Sequence, residues 1–393
     1  MSPTQREALM LDIWRSMDIV DLMRVTGHDD GLDDERLVHV FGEDAPRLMT
    51  EGDKLRLKRQ GREFMDITDH TSLGAFNAQR ASLVYARPPV SALANSTRDR
   101  LHVVMNSLDD KHLRKDIEIL SSFWNRNYRS LWGKRSSDWI FSHVQDILNS
   151  SSSKLVTGVF KFAHAFPQSS VIARLEAKDD DTRPMDKELV IIGAHLDSLN
   201  YEMPFYRAPG ADDDGSGTVT ILQVLRSLLD ADFVPPKGIA VEFHWNAAEE
   251  GGLLGSQDIA ATYEEGGARV KGMLQIDMTA FVKDGTKPII ALFDEGVDMI
   301  LTSFATSLVE EYTDLPWNYT NCGPVCGSDH MSWTKAGYPA IAATEGLFWD
   351  LPLTEIHTPR DDLNVKGGEY SFKHMLEFVK LGVAFIAEVA CAK

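Results

Sequence analysis

ELVIIGAHLDS, residues 188–198, is a β-rich run that ends in a histidine and an aspartate. Downstream of it, TVTILQVLRSLLD (218–230) reads as a helix, GIAVEFHWNAAEE (238–250) begins as a strand and VKGMLQIDMTA (270–280) is another. KPIIALF and YPAIAATEG are shorter strands. Strands alternating with helices predict an α/β domain with a mixed, largely parallel central sheet flanked by helices. In such sheets, sites collect just beyond the carboxyl ends of the strands.

Upstream, LHVVMNSLDDKHLRKDIEILSSFWNRNY (101–128) and SSDWIFSHVQDIL (136–148) carry apolar residues at helical spacing, and NSSSSK (149–154) reads as a loop. RPPVSALANSTRD (87–99), with two prolines and small polar residues, reads as a linker. The expected division is an N-terminal extension over residues 1–95 and a main domain over 96–393. Within the extension, EGDKLRLKRQG is expected to be a helix and FMDITDH an extended stretch, too little to carry a large core alone.

The 40 basic and 59 acidic residues give a net charge of -19, which repels nucleic acid and anionic membranes and sets both aside as partners. No apolar run approaches the roughly 20 residues of a membrane helix; LGVAFIAEVACA carries Glu388 in its middle. The start, MSPTQREALMLDIWRSMDIV, scatters charges through what would have to be an apolar core and is no signal peptide, so the chain is expected to stay inside unless this start is not the natural one. The cysteines point outward instead. Cys322 and Cys326 stand four apart in a Gly/Pro turn that could bring them within disulfide range, two reduced thiols being the ordinary alternative, and Cys391 is left over. A zinc site built on this pair lacks further nearby ligands. Sequons at Asn95, Asn149 and Asn318 could be used only in a secreted glycoprotein.

Acids and histidines of interest fall at strand ends. His195 closes LVIIGA, and Asp197 two residues on shares its face on a strand and can orient the imidazole. Asp212, Asp213 and Asp214 crowd a glycine-flanked turn before a helix, where a cation would relieve their repulsion. Glu249 and Glu250 follow a strand, so one can bind metal while its neighbour acts as general base. Asp277 and His357 supply the remaining ligand types. Each pattern alone has a structural counterpart: a His-Asp hydrogen bond, an exposed acidic turn, a solvated strand terminus. His244, inside VEFHW, reads as a packed strand residue. Taken together, three ligand carboxylates and one hydroxide balance two divalent zinc ions, with two neutral imidazoles completing the coordination; cobalt or manganese could occupy the same ligands.

The order GAHLDS, APGADDDGSG, AAEEGGLLGS, LQIDMT, a CGxxC with SDH, and EIHT resembles the M28 family of co-catalytic zinc aminopeptidases, particularly the fungal leucine aminopeptidases, over roughly residues 100–393. Upstream, GEDAPRLMTEGDKLRLKRQGREFMDITDH is similar to the pro-segment of the fungal enzymes, which are secreted zymogens. The resemblance implies the zinc-aminopeptidase (phosphorylase/hydrolase-like) fold and two zinc ions, with Asp213 bridging, His195 and Asp277 completing one site, and Glu250 and His357 the other. It also implies Glu249 as general base, Asp197 behind His195, a cis Asp213-Asp214 peptide and a Cys322-Cys326 disulfide. Zinc would lower the pKa of a bridging water, Glu249 would take its proton, the hydroxide would attack the first peptide bond, and Glu249 would pass the proton to the leaving amine. The expected substrates are peptides with a free N-terminus and an apolar first residue such as Leu, with Met278, Phe348 and Trp349 as candidates for its pocket, and the expected state is a monomer, secreted or otherwise vacuolar or intracellular.

One stretch departs from the pattern. Family members have Cys-Gly-Tyr-x-Cys directly before Ser-Asp-His, whereas CGPVCGSDH places Pro324 at the tyrosine position and inserts Gly327. An oxyanion-stabilising hydroxyl is therefore missing from that place, a loss worth on the order of a hundredfold in turnover. Two other classes share the fold: glutaminyl cyclases, which use one zinc, and binding modules that have lost ligands. The full five-ligand set with AAEE argues against both.

Overall fold

The structure, a computed structural model, describes residues 3–80, 93–323 and 326–392. Its strands in chain order are β1 (Glu35–Val40), β2 (Arg47–Thr50), β3 (Phe64–Asp66), β4 (Leu155–Phe162), β5 (Ser170–Ala177), β6 (Glu188–His195), β7 (Ile239–Asn246), β8 (Arg269–Ile276), β9 (Phe281–Lys283), β10 (Ile290–Phe293), β11 (Trp317–Thr320), β12 (Ala340–Thr344) and β13 (Gly368–Tyr370). Eight of them form the central sheet, in the order β11-β10-β12-β8-β6-β7-β5-β4. The pairs β12-β8, β8-β6 and β6-β7 are parallel, while β5 and β4 run antiparallel at one edge. This is the mixed, largely parallel sheet expected from the alternation of elements. β6 and β7 are buried along nearly their whole length, which is why they read as continuous rather than alternating apolar runs.

Helices cover both faces. One face packs on the helices Gly215–Asp230 and Phe372–Cys391, joined by Met299–Tyr312, and the other on Leu254–Glu265 and His330–Lys335. The predicted helical stretch 101–128 divides into Asn95–Asn106 and Lys111–Leu120, followed by irregular chain, because the Ser-Leu-Asp-Asp turn interrupts the apolar spacing. The expected linker needs correction as well: from Asn95 onward it is already helix, while residues 87–92 lie outside the described residues.

The N-terminal segment builds its own antiparallel sheet, β2-β1-β3. The helix Glu51–Arg59 is fixed by a reciprocal cap between Thr50 and Asp53. FMDITDH is strand only over Phe64–Asp66 and then turns. The segment is tied down by Asp66 N–H donating to Gly252 O at 3.0 Å and by Gln257 Nε2 donating to Asp66 O at 2.9 Å. Beneath it, the buried Lys54 ammonium donates to Glu51 at 2.8 Å and to Asp66 at 2.7 Å.

Candidate metal centre

The ends of β6, β7 and β8 lie side by side, so the loops leaving them converge. His195 is the last residue of β6, Glu249 and Glu250 follow β7, Asp277 follows β8, and Asp213 precedes the helix Gly215–Asp230. His357 comes in from a loop with a positive φ of 55°. All five predicted ligands meet. Ligand atoms of His195, Asp213 and Asp277 lie within 4.8 Å of one another, as do those of Asp213, Glu250 and His357.

Asp213 belongs to both groups. Its Oδ1 is 3.0 Å from His195 Nε2 and its Oδ2 is 2.6 Å from His357 Nε2. Glu250 Oε1 lies 3.0 Å from His357 Nε2, and Asp277 Oδ1 lies 3.7 Å from His195 Nε2. Burial disfavours charge on both histidines, yet the surrounding carboxylates drive them well above the ordinary imidazole range. Three carboxylates converging on two imidazoles in a buried site call for positive charge, and imidazole nitrogens with carboxylate oxygens form a donor set suited to zinc. Glu249 lines the same cavity without belonging to either ligand group. Burial pushes its carboxyl well above the ordinary range, with His195 and Lys58 pulling the other way.

Three carboxylates that belong to neither group hold these loops together. Asp197 lies 3.4 Å from His195 Nδ1 and accepts the N–H groups of Glu249 (3.0 Å) and Glu250 (3.2 Å), joining the β6 and β7 loops. Asp214, whose peptide bond with Asp213 is cis, accepts from the N–H groups of His195 (3.0 Å), Gly217 (2.9 Å) and Met278 (3.1 Å). Gly217 is required there, since a Cβ would stand 2.3 Å from Asp214 Oδ1 and 2.6 Å from Ile276 O. Asp361 accepts from the N–H groups of Asp212 (2.9 Å) and Asp213 (3.1 Å), locking the His357 loop to Asp213. Asp197 was legible as a partner of His195; nothing in HTPRDDL distinguishes Asp361. Ser328 Oγ, donating to Asp277 Oδ2 at 2.5 Å, and Lys58 also escape a reading by sequence.

The five candidate ligands line a cavity of about 240 Å³. Met278 and Phe348 form part of its apolar wall together with Phe293 and Ile356. Trp349 does not: it is 78% exposed and is absent from the wall, its ring lying edge-on to that of Phe348 at 4.8 Å between centroids. A second cavity of about 270 Å³ between residues 281–289 and 345–351 contains none of the ligands. Cys322 and Cys326 are disulfide-bonded with Cα atoms 5.7 Å apart, and Cys391 is a free thiol. Pro324 lies outside the described residues. Gly327 borders the cavity, and a Cβ on it would stand 2.8 Å from the ring of Phe41, so the glycine lets this loop approach the N-terminal segment. His244 is buried in β7 against Glu242 at 2.9 Å and takes no part in the site.

Residues 170–375 match peptidase family M28. The chain belongs to that family. M28 peptidases are zinc-dependent, in keeping with the donor set above. This M28 peptidase is 39% identical over 348 residues to a leucine aminopeptidase 1 of Fusarium vanettenii, covering 87% of this chain and 84% of that protein. It is 41% identical over 349 residues to a leucine aminopeptidase 1 of Trichoderma harzianum, with the same two coverages. In fold it is similar to the LapA aminopeptidase of Legionella pneumophila, at a TM-score of 0.74 and 24% identity over 91% of this chain and 98% of that one. A glutaminyl cyclase of Fimbriiglobus ruber shares the fold more distantly, at a TM-score of 0.51 and 15% identity over 77% of this chain and 99% of that one.

Proposed function

We propose that this metallo-aminopeptidase hydrolyses the first peptide bond of peptides with a free N-terminus, with two zinc ions held by His195, Asp213, Glu250, Asp277 and His357. The observation that carries this reading is the position of Asp213, with one carboxylate oxygen facing each histidine. When bound, zinc polarises the scissile carbonyl and makes water acidic enough to react near neutral pH. Glu249 takes the proton from the attacking water and returns it to the leaving amine; a carboxyl raised by burial is suited to both transfers. Asp197 supports His195 and the backbone of both glutamates. The wall of Met278, Phe293, Phe348 and Ile356 supports an apolar first side chain such as Leu.

Residues 1–95 are read as a pro-segment and 96–393 as the catalytic unit; the segment's separate sheet and the small cluster of Val38, Val40, Met49, Leu57 and Phe64 support that division. The disulfide and the exposed sequon residues Asn95, Asn149 and Asn318 support a secreted, glycosylated protein. A cyclase needs one metal, whereas two ligand groups sharing Asp213 support two. The test is hydrolysis of Leu-p-nitroanilide and its N-acetylated form, with and without chelator. Chelator-sensitive cleavage of the free form alone is expected; equal cleavage of both would refute the requirement for a free N-terminus.

A further inference from the structure

The two ligand groups are built alike around Asp213 and differ in what holds their outer carboxylates. Asp213 gives one oxygen to each histidine. In one group Asp277 turns Oδ1 towards His195, at 3.7 Å, and its Oδ2 accepts from the Ser328 hydroxyl at 2.5 Å. In the other, Glu250 turns Oε1 towards His357, at 3.0 Å, and its Oε2 accepts from Lys58 Nζ at 3.2 Å. The first outer oxygen is held by a neutral donor and the second by a cation. Lys58 is fixed in place: its side chain is 5% exposed, Glu63 binds the same ammonium, and the ring of Phe64 lies 5.6 Å from it. Its helix, Glu51–Arg59, is tied to the main domain by Arg59 Nη2, which donates to Glu202 O at 2.6 Å.

An ammonium one carboxylate away from a group of ligand atoms acts on an ion in that group in two opposed ways. It orients Glu250, the effect of one hydrogen bond, and it repels a divalent cation in a buried site that solvent and salt screen weakly. The repulsion is the larger, because it acts between a unit charge and a double one. Glu63 offsets it only in part, being the more exposed of the pair, at 16% against 5%. We infer that Lys58 makes the Asp213, Glu250 and His357 group the weaker of the two metal sites while the N-terminal segment is attached, so that the His195, Asp213 and Asp277 group fills first. This rests on the two-zinc reading above. If residues 1–95 are removed as a pro-segment, the ammonium goes with them and the weaker site tightens, which couples metal loading to processing.

The test uses the full chain, stripped of metal and titrated with zinc in competition with a chromogenic chelator, which reads the two stepwise affinities without recourse to activity. Wild type is expected to bind two ions in separate steps. Lys58→Met removes the ammonium and keeps an unbranched side chain; it strengthens the weaker step by at least about tenfold and the tighter step by less. Glu63→Gln leaves the ammonium without its second carboxylate and moves the weaker step the other way, by about threefold. The opposite signs separate an electrostatic effect from a general loosening of the site, which would weaken binding in both variants. Should Lys58→Met fail to fold, Glu63→Gln decides alone. A weaker step that stays within about twofold of wild type in every variant that folds, or that moves by the same factor as the tighter step, overturns the inference and leaves the two-zinc reading intact. A chain that takes up one ion in wild type and in Lys58→Met alike removes both.

Discussion

Glu249→Gln isolates the proton transfer from the metal chemistry. Glutamine has the same shape, keeps the backbone N–H donated to Asp197 Oδ1 at 3.0 Å, and leaves all five ligands in place. The substitution should not lower stability, because burial already disfavours charge on this carboxyl and the amide removes that charge. What is lost is the only function assigned to the side chain. A general base of this kind contributes roughly a hundredfold to ten-thousandfold, which is about 3–5 kcal/mol of barrier. The fall should appear in kcat for Leu-p-nitroanilide, with zinc content and melting temperature held at wild-type values. Activity within about threefold of wild type at full zinc content would mean that another group moves the proton.

Asp361→Asn turns an acceptor for two backbone N–H groups into a side chain whose amide faces one of them, so zinc should bind about tenfold to a hundredfold more weakly, measured by competition with a chromogenic chelator. Unchanged zinc affinity would deny Asp361 its positioning role. Lys54→Met leaves the Glu51 and Asp66 carboxylates without their ammonium and should cost about 3–5 kcal/mol in urea unfolding, since breaking a buried pair strands the partner charge; a loss under about 1 kcal/mol contradicts this. His70 in the N-terminal segment bonds to Asp258 at 2.5 Å, and chiefly that bond raises its pKa above the ordinary 6.5. Its contribution is thus complete below about pH 6.5 and is lost as pH rises through the raised value, so that melting temperature followed from about pH 5 to about pH 9 falls more steeply for wild type than for His70→Gln. Parallel curves would show that this bond does not anchor the segment.

The sheet and the convergence of the five candidate ligands were legible because both leave local marks. A strand buried on two faces must be apolar along its length, as LVIIGA is, and ligands gather where such runs end in His or an acid. The supporting groups leave no such mark. Asp361 acts through backbone N–H groups about 150 positions upstream, and its own neighbours read as an ordinary acidic loop. Lys58 sits in a charged helix whose composition predicts solvent, and only the packing of β3 on Gly252 shows that this face is buried against the site. Trp349 misled for the opposite reason: an aromatic pair reads as a pocket, but here Phe348 lines the cavity while Trp349 packs on it from the solvent side.

The most direct measurement is zinc titration of the chelator-treated chain, with bound metal and hydrolysis of Leu-p-nitroanilide followed together. Two ions per chain are expected, with Asp213→Asn reducing occupancy at both sites because the two ligand groups share that residue. Full activity at one ion per chain, or two ions still held tightly by Asp213→Asn, would contradict the two-zinc centre.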